Sequence, residues 1–357
     1  MEQMDFTLTN EKRILSRAAQ LQNPVNGSLE LLPLCNMNCD MCYIRLSSSE
    51  VKAQGGLRTA DEWIRLGHEM AKAGVLFLLL TGGEPLLFPD FRKLYTELKQ
   101  MGMILTINTN GTLLDEAWAE FFGKYKPRRI NITLYGSNDD AYEKLCHYPG
   151  GFSRTVNAIR LLCSRGVDVK INGSVTKYNR DDMEAIYQIG RELDVPVHMD
   201  TYMLPGIHER GLPFEEQSRL MPEDAAAAEI CMRKSEMNPE DFRQYVKEIL
   251  ARTEQKDITY PDQISCLAGN CSFAISWPVF EKGFESAWQE ISREAKTLKV
   301  SETCVRCQLR PACKTCAASA YLETGRCDGV PEYLCRYAKE TVRLLRENVN
   351  QEQEAEL

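Results

Sequence analysis

The sequence predicts an α/β protein built on a parallel sheet and followed by a small cysteine-rich segment. Three observations carry that expectation. Between residues 29 and 204, six short apolar runs alternate with amphipathic stretches, the spacing of βαβ units. Gly74, Gly102 and Gly166 stand where the intervening helices would end in a left-handed cap. Eight of the 14 cysteines fall between Cys266 and Cys335, outside the repeating part.

In order, the runs are "LELLPL", "VLFLLLT", "MILTIN", "RINITLY", "DVKINGSV" and "VPVHMDTYML". Segments near 60–73, 91–101, 113–124, 153–165 and 181–193 read as the helices between them. Six such units make either a doubly wound sheet or an incomplete barrel, and periodicity does not choose. In both, functional side chains gather at the carboxyl ends of the strands. The expected divisions are a 1–28 extension, a 29–204 α/β body, a 205–258 connector with two exposed helices, and a 259–338 cysteine-rich domain. A C-terminal helix and polar acidic tail, expected to fray, occupy 339–357.

Composition narrows the function. The 357 residues are 43% hydrophobic and 26% charged, enough for one large domain and a smaller one. Net charge is −8 and the basic residues are scattered, which argues against nucleic-acid binding. The longest apolar run, "VLFLLL", is too short for a membrane span, and the N-terminus lacks a signal peptide's apolar core. The expected location is the cytoplasm, where cysteines serve metals or redox chemistry more than disulfides. Of the isolated cysteines, Cys163 reads as core, Cys231 as helix surface, and Cys146 as lying near the strand ends.

"LLPLCNMNCDMCYI" places Cys35, Cys39 and Cys42 directly after the first strand. Soft thiolates select zinc, copper(I) or iron–sulfur clusters. A structural zinc site takes four protein ligands, so here a fourth would have to come from elsewhere. A four-iron cluster on three cysteines keeps one iron open, where a substrate can bind.

With Tyr43 following, this spacing resembles the radical S-adenosylmethionine (SAM) enzymes, and the resemblance runs from Leu29 to about Leu204. It implies an incomplete TIM-type (β/α)6 barrel and a [4Fe-4S] cluster on Cys35, Cys39 and Cys42. In that family the amino and carboxylate groups of SAM chelate the open iron, and SAM cleavage gives a radical that takes hydrogen from the substrate. Gly82, Gly83, Glu84 and Pro85 form a turn whose glycines permit close approach to a ligand. They resemble the family's motif for the SAM amino group. Asn108, Thr109 and Asn110 suit the ribose hydroxyls, although Asn110-Gly111 also reads as a plain turn. Thr133 stands at the family's serine. Lys144 falls where arginine is frequent, offering a point charge in place of a planar fork. Asn172, on the fifth strand, is a further polar candidate near SAM. By the two-residue period, His198, Asp200 and Tyr202 share a face of the sixth strand. They read as a substrate-facing wall with a proton acceptor, or equally as a structural hydrogen-bond network.

Downstream, "CLAGNCSF" and "CVRCQLRPACKTC" with Cys327 and Cys335 supply thiolates for two four-cysteine sites, which suit cubane clusters and zinc alike. Residues 266–335 resemble the SPASM extension of radical SAM enzymes. That resemblance implies one or two auxiliary [4Fe-4S] clusters, one on Cys304, Cys307, Cys313 and Cys335 and one on Cys266, Cys271 and Cys316. A Gly-x4-Cys segment expected after "CSFAIS" is missing, so Cys327 substitutes or an iron stays open. The implied activity is maturation of a ribosomally made peptide by thioether or carbon–carbon crosslinking, or by epimerisation. The partners are then a peptide or protein substrate and a low-potential donor such as flavodoxin or ferredoxin. The stretch before residue 29 is too short to hold a leader-binding domain, so leader recognition falls to a separate leader-peptide-binding protein or to the body of the enzyme. Two rival functions are a formylglycine-forming sulfatase-maturating enzyme and a non-catalytic, zinc-stabilised interaction protein.

Overall fold

A computed structural model describes residues 2–255, 258–263, 266–274 and 279–355. Six strands appear in the expected alternation with helices: β1 (Asn26–Glu30), β2 (Phe77–Thr81), β3 (Ile104–Thr109), β4 (Arg129–Thr133), β5 (Val169–Ser174) and β6 (Val197–Asp200). All pair in parallel with their sequence neighbours. A doubly wound sheet reverses its strand order at a switch point. Here the order runs straight from β1 to β6, which is the order of a barrel. The barrel stays open, since β6 is an edge strand.

The first strand sits earlier than its apolar run suggests. Pro33 cannot donate to a ladder, so "LELLPL" leaves the sheet half-way and Leu31 and Leu32 are buried beyond it. A seventh strand, β7 (Ser272–Ala274), comes from the cysteine-rich segment and pairs in parallel with β1. Three residues are too few to show a strand period. A Cβ on Gly27 would stand 2.3 Å from the Phe273 ring, so this seam needs glycine on β1. The missing Gly-x4-Cys segment would follow β7, at residues 275–278, which lie outside the described residues.

Alternation divides the sheet. Leu29, Leu78, Leu80, Leu105, Ile107, Ile130, Ile132, Ile171 and Met199 are buried toward the helices. The opposite face carries Glu30, Asn108, Asn131, Thr133, Asn172 and His198, all only half-buried. A parallel sheet is usually apolar on both faces. The polar inner face marks the lumen as a place for ligands.

The connector departs from expectation. Its Pro222–Glu236 helix is buried, with Ala225, Ala226, Ala228, Ile230 and Met232 turned inward. Its small residues admit the close approach of the Glu332–Ala355 helix. The Glu236 carboxylate accepts the Met199 N–H at 3.2 Å, which covers the open edge of β6. Nearby, Glu229 is buried with Thr201, Arg233 and Lys314 around it. Burial alone would raise its pKa, but Lys314 and Arg233 hold it below the usual carboxylate value. Through Lys314 the cysteine-rich segment is fastened to the barrel. The last helix runs unbroken across residue 338 to Ala355, taking in acidic residues expected to fray. No helix among the described residues is long and apolar enough to cross a membrane.

Candidate active site

The site begins where β1 and β2 end. Past the strands, Gly83 N–H donates to Leu32 O at 2.7 Å and Glu84 N–H to Leu34 O at 2.9 Å. A Cβ on Gly82 would lie 2.4 Å from Leu32 O, and one on Gly83 2.2 Å from Leu34 O. The two glycines therefore serve a close approach to the chain's own backbone, where the sequence suggested approach to a ligand. Their effect is to fix the strand-to-loop path immediately before Cys35.

Cys35, Cys39 and Cys42 follow on one loop. Asn38 N–H and Asp40 N–H donate to the carbonyls of Cys146 and Leu145, clamping it to the Asp139–Cys146 helix. The sulfurs of Cys35 and Cys42 accept the backbone N–H groups of Met37 and Arg45, at 3.4 and 3.3 Å. Burial pushes the Cys35 thiol up to about 12, with Glu84, Cys39 and Cys42 adding to the rise. Cys39 is pushed well up by its hydrogen bond with Cys146 and by burial. Cys42 is raised mainly by burial. Among the described residues, no three Cys, His, Asp or Glu side chains stand close enough to hold a metal ion as they are. Cys39 faces Cys146. The donor set itself fits a thiophilic centre, because bound metal removes the cost of ionising a buried thiol and two sulfurs already accept N–H groups.

Glu84 lies fully buried beside this loop. Thr109 Oγ1 donates to its carboxylate oxygens at 2.8 and 2.9 Å, Asn110 N–H at 2.9 Å and Leu86 N–H at 3.0 Å. Burial raises its pKa to about 7, against these three donors. Pro85 opens the short 3-10 turn Pro85–Leu87 that supplies the Leu86 donor. Thr109 and Asn110 are thus turned to Glu84 and Cys35. Asn108 accepts from Asn131 Nδ2 at 2.8 Å on the inner face. Thr133 lies beside Asn172 in the ladder, and Asn172 beside His198. Asn172 Oδ1 is buried with no hydrogen-bond partner among the described residues.

Other expected residues lie elsewhere. Tyr43 is half-exposed and donates to Glu30 at 2.9 Å. Lys144 is exposed on the Asp139–Cys146 helix. His198 is tied to Glu236 at 3.1 Å, with Asp200 at 3.8 Å. Tyr202 shares a hydrogen bond with Ser319. Asn36, Thr112 and Glu236 were not singled out in the sequence; Asn36 sits inside the cysteine motif, but nothing local marks Thr112 or Glu236.

In the cysteine-rich segment, Cys335 is raised to about 11 by burial and then by Cys313, Cys304 and Cys307. Cys313 likewise feels burial first, then Cys304 and Cys307. Those thiols lie near enough to raise one another, although no three of them stand close enough to hold a metal ion as they are. Cys266, Cys271 and Cys316 lie apart. Val25 and Asn26 donate to the Cys271 carbonyl, pinning that residue at the amino end of β1, where it is buried against Ala18 and Val25. Cys316 begins the Ala317–Thr324 helix, whose Ser319 reaches Tyr202 past the carboxyl end of β6. Cys266 is exposed, and Cys327 is half-buried in the turn Arg326–Gly329. The β1–β7 pairing thus separates the residues expected to share a second cluster.

Residues 29–189 match the Radical SAM superfamily. That stretch is a radical SAM domain. A radical SAM enzyme of this kind uses SAM and a [4Fe-4S] cluster. The chain is 26% identical to the AdoMet-dependent heme synthase of Methanosarcina barkeri, over 83% of its own length and 92% of that protein's. It is 28% identical to the PqqA peptide cyclase of Ruegeria pomeroyi, over 48% of this chain and 45% of that protein, so the chain spans less than half of the cyclase. The structure of Streptococcus suis SuiB bound to the precursor peptide SuiA shares the fold, with a TM-score of 0.65, 16% identity, and coverage of 92% of this chain and 81% of that one.

Two expectations concern SAM binding by this radical SAM enzyme. Glu84 carries a raised pKa, so the folded chain takes up a proton as pH falls through 7, well before the unfolded chain does. Stability therefore declines as pH rises from about 4.5 to about 7 and levels off above. A cationic amine at Glu84 needs the ionised form, so SAM affinity should fall about tenfold per pH unit below 7, with the dependence lost in Glu84→Gln. Calorimetric titration across pH checks it. Lys144→Met should leave SAM affinity within about twofold, as an exposed substitution does.

Proposed function

We propose that this radical SAM enzyme modifies a peptide substrate, with Cys35, Cys39 and Cys42 holding the catalytic cluster. One observation carries the placement of the site. The hydrogen-bonded chain from Glu84 through Thr109 and Asn110 to Cys35 joins the Gly-Gly-Glu turn to the three-cysteine loop. The cluster and SAM supply, when bound, a carbon-centred radical able to take a hydrogen atom. The protein's part is placement. Glu84 receives the SAM ammonium, and Asn108 and Asn172 face the lumen where SAM and substrate lie. Cys304, Cys307, Cys313 and Cys335 hold an auxiliary cluster on the far side of the Glu229–Lys314 fastening.

Similarity to a peptide cyclase and a fold shared with a precursor-peptide complex support a peptide substrate, crosslinked or epimerised. A second reading has its own support: the AdoMet-dependent heme synthase is matched nearly end to end, which favours a heme precursor as substrate. Iron and sulfide analysis of the anaerobically reconstituted chain, with EPR with and without SAM, tests the first statement. About eight irons with a SAM-sensitive signal is the result expected for two cubanes. Zinc without iron would sink it. Transfer of deuterium into 5′-deoxyadenosine from a labelled peptide encoded beside the gene, or from an iron porphyrin, separates the two substrate classes.

A further inference from the structure

We propose that Asn110 sets the reduction potential of the catalytic cluster by donating a hydrogen bond to the Cys35 sulfur. The inference rests on Cys35 being a cluster ligand, and it replaces the ribose role expected for Asn110. Asn110 Nδ2 stands 3.6 Å from Cys35 Sγ. The orientation of the amide is fixed independently. Its Oδ1 accepts the Thr112 backbone N–H at 2.9 Å and the Thr112 hydroxyl at 2.7 Å. A backbone N–H can only donate, so the oxygen faces Thr112 and the amide nitrogen faces the sulfur. The same nitrogen donates to Asn36 Oδ1 at 3.0 Å, and Asn36 Nδ2 donates to Thr112 Oγ1 at 2.8 Å. Three side chains thereby close a ring around the donor.

The backbone of Asn110 is held as firmly. Its N–H serves Glu84, and its carbonyl accepts the Thr155 hydroxyl at 3.0 Å. The residue is buried, and every polar atom of its side chain already has a protein partner. It has nothing left for a ribose.

A hydrogen bond to a cluster sulfur favours the state with the extra electron, and in a dry surrounding the effect is larger than in water. The backbone donor to Cys35 from Met37 acts alike in every variant. Asn110 supplies the donor that mutation can remove, and in Asn110→Ala the cluster should become harder to reduce.

EPR-monitored redox titration of the reconstituted full chain tests this, following the component that SAM perturbs. Asn110→Ala should shift that component to a more negative midpoint potential with its iron retained. Thr112→Val loosens the same ring but leaves the amide in reach of Cys35, and should keep the wild-type midpoint. An unshifted Asn110→Ala, or an equal shift in both variants, overturns the proposal. Should Asn110→Ala take up no iron, Asn110→Asp keeps the oxygen that Thr112 uses; it should shift the same way, and an unshifted value again overturns the proposal. A wild-type chain with no SAM-sensitive iron signal removes the ligand role of Cys35 itself, and the proposal with it.

Discussion

Cys42→Ala is expected to lose about four irons per chain and to reduce SAM cleavage to background, while the melting temperature of the iron-free protein stays close to wild type. The loop does not depend on the Cys42 side chain for its path. Hydrogen bonds from Asn38 and Asp40 to the Asp139–Cys146 helix hold it from one side, and the Gly82–Glu84 turn holds the preceding residues from the other. Removing the sulfur thus takes away a ligand without loosening its frame. Cys146 is the control. Its thiol is hydrogen-bonded to that of Cys39, so it is placed to compete for a position on the metal. Cys146→Ser should keep the iron and the SAM-dependent EPR change. Equal iron loss in Cys146→Ser would assign four thiols to the site and close the iron that SAM needs.

Gly83→Ala should be the most damaging substitution outside the cysteines. The added methyl group would meet Leu34 O at 2.2 Å, the Leu34 carbonyl carbon at 2.6 Å and Pro33 O at 3.0 Å, all backbone atoms that cannot rotate away. Relief requires the β1 and β2 extensions to part, which breaks the Gly83–Leu32 and Glu84–Leu34 hydrogen bonds together. The expected cost is about 3 kcal/mol, or roughly 4 °C in melting temperature for a chain of this length. Because Leu34 adjoins Cys35, iron uptake should fall in the same variant even at temperatures where it stays folded. A Gly83→Ala protein with wild-type melting and iron content would show that the two segments do not meet as described.

Much of this architecture was legible in the chain. Six apolar runs became six strands, since the repeat is local and three of the intervening helices end at Gly74, Gly102 and Gly166. What the runs could not show was their order in space, and the choice between barrel and doubly wound sheet waited on the pairing of β1 through β6. The cysteine motif and Gly-Gly-Glu were visible because their chemistry is written in adjacent residues. Asn110 was visible too, but as a ribose contact; its actual partners, Cys35, Asn36 and Thr112, come from three places along the chain. Failures had similar causes. The Pro222–Glu236 helix looked exposed because alanines carry little hydrophobic signal, although their smallness is what lets another helix pack on it. Cys163 looked like core, yet it is exposed, one position past the buried stripe that ends at Leu162. Cys271 was grouped with Cys316 by the SPASM resemblance, and a three-residue strand sets it at the amino end of β1.

That short strand also bears on how the chain is made. Asn26 and Ser272 are bonded side chain to side chain across 246 positions of sequence. During synthesis, β1 through β6 can pair in order as each leaves the ribosome, while the outer edge of β1 waits for a partner encoded near the end. Until then its N–H and C=O groups stay open to other chains. A nascent chain stalled before residue 272 should therefore be the form most prone to clump, and release of the last quarter of the sequence is the event that covers the outer edge of β1.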